Sequence, residues 1–161
     1  MDFKKIFYAQ GVAYELGRAL IVTILVLILI NTFVATVHVV QGASMEPNFH
    51  TGEFIITNKI SYMTGEPKRG DVVVLKFPGD PDHQKYIKRI IGLPGEKLEI
   101  KNSKIYINDK VLIESYIPPT IYTGPNMIIN TGPDEYFIVG DNRPNSSDSR
   151  AWPAASSFAR K

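Results

Sequence analysis

Residues Lys85–Ile100 read KYIKRIIGLPGEKLEI, and the fold class is written in this stretch. The run Tyr86-Ile87-Lys88-Arg89-Ile90-Ile91 alternates with the period of a strand. Tyr86, Lys88 and Ile90 then share one face, while Arg89 points to the other. A Pro-Gly break follows, and EKLEIKN from Glu96 starts a second strand. Outward from there the pattern repeats: EFIITNKI from Glu53, DVVVLKF from Asp71, KIYIN from Lys104 and EYFIVGD from Glu135 are short apolar stretches bounded by Gly, Pro, Asn and Asp. Asn102-Ser103 and Asn108-Asp109-Lys110 are predicted turns between strands. Tyr116–Pro133, rich in Pro and Gly, is expected to be a long connection or an edge excursion. The expected domain is mainly β, with no long amphipathic helix.

The N-terminal part is different. ALIVTILVLILINTFVATVHVV, Ala19 to Val40, contains no formal charge and is about the length a helix needs to cross a ~30 Å hydrocarbon core. Thr23, Thr32 and Thr36 can bond back to their own helix, and Asn31 costs far less there than a charge. The run is too long for the apolar core of a cleaved signal peptide, and Gln41-Gly42-Ala43 is a poor cleavage site, so an uncleaved anchor is expected. Lys4, Lys5 and Arg18 precede the span, and the nearest cation after it is Lys59. The positive-inside bias then puts residues 1–18 in the cytoplasm, the anchor at 19–40 and everything from 41 to 161 outside.

Composition narrows the chemistry. The 161 residues suffice for one domain plus the anchor, and the net charge of +2 comes from interspersed residues with no basic block, so no nucleic-acid partner is expected. With no cysteine there is no disulfide, thiol nucleophile or thiolate metal site. His38, His50 and His83 are scattered without metal-ligand spacing and read as surface histidines; no metal and no organic cofactor is expected.

GASMEPNF, Gly42 to Phe49, places Ser44 just beyond the anchor, where a membrane-bound substrate would be met. As a nucleophile it needs a base, and no His/Asp pair lies in a site-like setting. A lysine serves only if burial disfavours its ammonium form. Lys88, with apolar neighbours on its face of a strand, meets that condition; Lys76, at the exit of VVVLK, meets it less well. Any such lysine taken alone reads more readily as a snorkelling surface residue, and spacing by itself does not overturn that.

Four stretches resemble, in order, the sequence boxes of the bacterial type I signal peptidases. They are Ser44-Met45-Glu46-Pro47, Arg69-Gly70-Asp71-Val72-Val73-Val74, Tyr86 through Glu96, and Gly140-Asp141-Asn142-Arg143-Pro144-Asn145-Ser146-Ser147-Asp148-Ser149-Arg150. The resemblance runs over roughly residues 19 to 150 and is similar to the single-span, Gram-positive branch. It implies a signal-peptidase-like β domain with one N-terminal transmembrane helix. It also implies a Ser/Lys serine endopeptidase of the cytoplasmic membrane that cleaves signal peptides from exported preproteins, with membrane lipid as its surroundings. By the same resemblance Ser44 is the nucleophile and its backbone N–H an oxyanion donor, Lys88 the general base, and Ser146 the hydroxyl that orients the lysine. Asp148 and Arg150 form an ion pair behind the site, Asp141, Asn142 and Arg143 a supporting turn, and Met45 lines a membrane- or substrate-facing surface.

This sequence departs from the family pattern at three places. Gly42 stands where some members carry an oxyanion-binding hydroxyl, Asn48-Phe49 replaces Thr-Leu, and AWPAASSFARK does not look like the family's next strand, so a truncated or diverged C-terminus is expected. Two other functions fit parts of the pattern: a self-cleaving Ser/Lys protease, and a catalytically silent anchored β domain that binds exported proteins.

Overall fold

The computed structural model describes residues 3–76, 84–152 and 159–160. Its chain divides into two compact units, residues 1–37 with 56–65, and residues 38–55 with 66–161.

In the first unit, helix α1 spans Phe3–Leu29 and continues as one wide turn over Ile30–Val34. Gly11–Val34 is long and apolar enough to cross a membrane. Helical structure stops at Val34, and Ala35–Val39, the last part of the 19–40 segment expected as the anchor, is strand β1. The uncharged, mostly apolar run continues across that boundary. What changes is local preference: Thr-Val-His-Val-Val is dominated by β-branched residues, which lose χ1 freedom in a helix and fit a pleated strand. Lys59 donates to the carbonyls of Asn31 and Thr32 at 2.8 and 3.1 Å, covering two acceptors that the end of the helix leaves open. Strand β2 (Phe54–Asn58) pairs with β1, and a short helix α2 (Ile60–Thr64) follows.

The second unit holds two four-stranded sheets. One has the order β10-β9-β4-β3, from β3 (Val72–Lys76), β4 (Lys85–Gly92), β9 (Glu135–Val139) and β10 (Ala159–Arg160). The other has the order β7-β6-β5-β8, from β5 (Lys97–Lys101), β6 (Lys104–Ile107), β7 (Lys110–Val111) and β8 (Met127–Asn130). The described pairings of both sheets are antiparallel. Asn102-Ser103 and Asn108-Asp109 link β5 to β6 and β6 to β7, all four at φ between 48° and 65°. That left-handed backbone is what two-residue hairpin turns demand, and Asn and Asp tolerate it best.

Strand β4 is central and buried on both faces. Ile91 joins Phe137, Val139, Leu98, Ile100, Ile105 and Ile107 in the main core, which links the two sheets. Ile90 packs with Tyr136, Ile138 and Trp152 on the opposite face, where Val73 and Leu75 of β3 add to the layer. A register shift between Ile90 and Gly92 marks a bulge against β9. Gly92 is needed there, because an added Cβ would stand 2.8 Å from both the Leu98 and Phe137 side chains. A third cluster, Val40, Met45 and Ile87 with Phe49, Ile55, Val72 and Val74, underlies the Ser44 turn.

The structure differs from the sequence expectation in the connections. Met127–Asn130, within the segment expected to be a connection or edge excursion, pairs with β5 as a sheet edge. The tail that does not resemble the family's next strand does supply one short strand: Ala159 and Arg160 pair with Tyr136 and Glu135. Phe77 and His83 lie outside the described residues.

Candidate active site

Three elements converge on Ser44. Gly42, at φ +84°, turns the chain out of β1, and Thr51 Oγ1 donates to the Gly42 carbonyl at 3.1 Å to close the loop. Met45, fully buried against Val40 and Ile87, pins the turn from below, so its role in the structure is core packing. From above, Asn142 N–H donates to the Ser44 carbonyl at 3.0 Å and Asn142 Nδ2 to the Ala43 carbonyl at 2.9 Å. Two carbonyls are thus held, while the Ser44 N–H has no protein acceptor among the described residues. A free, fixed backbone donor next to a hydroxyl is what a developing oxyanion needs.

Lys88 arrives on β4. Its cross-strand partner is Val73, Tyr86 faces Leu75, and the layer of Ile90, Ile138 and Trp152 continues the same face, so the lysine is only 2% exposed. Nζ lies 2.8 Å from Ser44 Oγ and 2.9 Å from the Ile87 carbonyl, and 5.7 Å from the centre of the Tyr86 ring. Burial pushes the amine down to about 8; Asp148 and Asp141 oppose this and Arg150 adds to it. As an ammonium, Lys88 donates to Ser44 Oγ. As a neutral amine it accepts the Ser44 proton, and the sense of the bond reverses. Lys76, by contrast, is exposed at the end of β3.

The Gly140–Arg150 segment locks the far side. Gly140 admits no side chain, since a Cβ there would collide with Ser146 Oγ and the Ser44 carbonyl oxygen. Asp148, fully buried, takes Arg150 in a two-pronged pair at 2.8 and 2.7 Å and also accepts the Gly140 N–H at 2.9 Å. Asp141 pairs in the same way with Arg89 at 2.8 and 2.6 Å. Arg143 is buried and donates to the Gly140 carbonyl, Thr123 and both Glu114 oxygens. These are charges with full sets of partners, the condition for holding ions out of water.

Ser146 Oγ is buried with no hydrogen-bond partner among the described residues, and the Lys88 amine is bonded to Ser44 Oγ and the Ile87 carbonyl. Sequence reasoning missed several members of the network. Asn48, one of the departures from the family pattern, donates to Asp141 at 2.8 Å and to the Tyr116 carbonyl at 2.7 Å. The Tyr116 ring lies 4.0 Å from the Arg89 guanidinium, and burial together with the bond to Glu114 raises the Tyr116 hydroxyl above the ordinary tyrosine range. Glu114 could have been sought as the counter-ion for a buried arginine, but nothing in its local sequence marks it. No group of three or more metal-ligating side chains occurs among the described residues. His50 is bonded to Glu53 at 3.0 Å on the surface.

The family profile described as signal peptidase, peptidase S26, matches residues 13–158. The chain is 39% identical over 145 residues to a probable signal peptidase I-2 of Synechocystis, covering 86% of this chain and 65% of that protein. It is 38% identical over 146 residues to a signal peptidase I of Bacillus amyloliquefaciens, covering 85% and 75%. The crystal structure of a signal peptidase I from Enterococcus faecalis superposes with a TM-score of 0.50 at 29% identity, over 59% of this chain and 90% of that one. The apolar N-terminal helix fits membrane anchoring. With a strand-built domain, a serine and a buried lysine in contact, and a match over nearly the whole chain, the protein belongs to the signal peptidase family of S26 peptidases.

Proposed function

We propose that this chain is a membrane-anchored serine endopeptidase that removes signal peptides from exported preproteins, with Ser44 as nucleophile and Lys88 as general base. The observation that carries the reading is the 2.8 Å contact between Ser44 Oγ and the amine of a lysine that burial holds at about 8. An ordinary lysine stays protonated at neutral pH and could not take the hydroxyl proton.

In this mechanism neutral Lys88 removes the Ser44 proton as Oγ attacks the scissile carbonyl. The oxyanion is met by the Ser44 N–H. Collapse expels the new amino terminus, which receives the proton from Lys88, and leaves an ester on Ser44. Lys88 then deprotonates the water that hydrolyses it. Esterification takes away the lysine's hydroxyl partner, and the unpartnered Ser146 hydroxyl is suited to replace it; that is the orienting role proposed here for Ser146. The substrate adds as an extended strand, with small side chains such as alanine on either side of one free position. Lys4, Lys5 and Arg18 favour a cytoplasmic N-terminus, with residues 41–161 outside the plasma membrane.

The test is cleavage by the purified full chain of a preprotein bearing an Ala-x-Ala site. One specific cut is expected, insensitive to chelators. Ser44→Ala, Lys88→Ala and Lys88→Arg are each expected to lose about 10⁴-fold or more in kcat, and Lys76→Ala almost nothing. Retention of the preprotein without cleavage, or full activity in Lys88→Ala, would refute the reading. In protoplasts, added protease should remove the bulk of the chain; protection until lysis would refute the orientation.

A further inference from the structure

Trp152 is the single tryptophan of the chain and has no part in the chemistry just described. It is 8% exposed, and it packs with Ile90, Tyr136 and Ile138 on the face of β4 that carries Lys88. Its ring stands edge-on to Tyr86, with centroids 6.4 Å apart at 69°. Tyr86 precedes Lys88 by two residues and so shares that face, its ring 5.7 Å from Nζ. Tyr86 and Ile90 therefore flank the lysine along the strand, and Trp152 touches both.

We propose that Trp152 is a positioning residue for the base: its indole braces the Tyr86 ring beside Lys88, and the two rings together keep water off the amine. The proposal rests on reading Lys88 as the general base. The groups facing Lys88 sort cleanly. Ser44 comes from the nucleophile turn, apolar Val73 and Leu75 come from β3, and the charges of Asp141, Asp148 and Arg150 come from the segment after β9. Those three charges are fixed by Arg89, by each other and by backbone donors, without the indole ring. Trp152 holds its place through its own N–H to the Asp148 carbonyl and through Nε1 to Ser147 Oγ, both 3.1 Å. Replacing the side chain thus removes a water barrier while the charges around the lysine stay.

The two effects of the rings oppose each other. A ring face favours a nearby cation and so holds the proton on, whereas burial is the largest influence on the lysine and lowers it to about 8. Loss of burial decides the sign, and the amine rises toward its ordinary value.

The experiment is the pH dependence of kcat/KM for preprotein cleavage by the full chain and by Trp152→Ala and Trp152→Phe. In Trp152→Ala the acid limb is expected to move up by about one pH unit, which lowers kcat/KM near neutrality by about tenfold and leaves the alkaline plateau near that of the parent. Trp152→Phe, which keeps an aromatic edge but loses the bond to Ser147, is expected to stay within about 0.3 pH unit. A lower plateau with an unmoved limb would overturn the proposal, as would equal shifts in both variants. Should Trp152→Ala not fold, Tyr86→Leu replaces it; the limb must rise there too, and an unmoved limb refutes the idea. An unmoved limb with parent activity still dependent on Ser44 and Lys88 sinks this inference alone. Activity that survives Lys88→Ala sinks the underlying reading with it.

Discussion

Replacing Lys88 by Met turns the buried base into a measurement of its own cost. Met is unbranched and fills irregular space of similar length, so the face shared with Ile90, Ile138 and Trp152 stays packed. The amine falls from 10.5 in the unfolded chain to about 8 in the fold, mainly through burial. Below about pH 8 both states carry the proton, and the folded state bears the whole cost of a buried ammonium, roughly 3 kcal/mol. Between about 8 and 10.5 the unfolded chain still binds a proton that the folded chain does not, so parental stability rises with pH; above 10.5 the gain is complete. The Met variant has no such dependence. Its stability minus that of the parent should be greatest at pH 7 and fall by roughly 3 kcal/mol by pH 10.5. Loss of the bonds to Ser44 and the Ile87 carbonyl lowers the whole difference curve by about 1 kcal/mol each but does not change its slope. Denaturant titrations in detergent, followed by the fluorescence of Trp152, report on the β domain and leave the helix silent. A difference curve flat from pH 7 to 10.5 would show that Lys88 is an ordinary lysine, and the mechanism would lose its base.

Gly140→Ala should cut cleavage by about a hundredfold or more, because the new Cβ displaces the Ser44 carbonyl or Ser146, while substrate binding measured with an inactive Ser44→Ala background stays near normal. Asp148→Ala should destabilise the domain by about 3–5 kcal/mol, since it strands the Arg150 guanidinium and the Gly140 N–H. Because the Asp148 charge favours the ammonium, its removal should also move the acid limb of kcat/KM downward, opposite in sign to Trp152→Ala; an upward move would show that burial is being lost instead. Ser146→Ala breaks no bond present in the free protein, so its melting midpoint should be equal or higher, whereas kcat should fall by an intermediate amount, about 10- to 100-fold; a drop in the midpoint would mean the hydroxyl is bonded in the resting state.

Much of the β architecture is legible in the chain because its signals are local. Alternation in Lys85–Gly92 sets that strand and the side on which Lys88 lies, and the Asn and Asp pairs at positions 102–103 and 108–109 set two hairpins through their tolerance of left-handed backbone. The end of the apolar helix at Val34 was not legible, because apolar composition continues through β1 and the change lies in whether the run packs as helix or ribbon. Strand β8 was hidden inside a Pro- and Gly-rich stretch, and its pairing with β5 is decided by the partner rather than by its own four residues.

For the site, the sequence alone determined the residue types and their order: a serine after the anchor, a lysine on an alternating strand, and an acidic and basic cluster after a glycine turn. Bonding partners were decided by tertiary structure. Glu114, Tyr116 and Asn48 meet Arg143, Arg89 and Asp141 only when the chain between the sheets returns to the Ser44 turn. Trp152 becomes part of the base's surroundings only when the segment after Arg150 folds onto β4. The lysine's low affinity for its proton has the same origin. A strand pattern can place an amine on a face, but the free energy of its charge depends on how much water the rest of the fold excludes, and that is a property of the packed volume and not of any neighbouring residue in the chain.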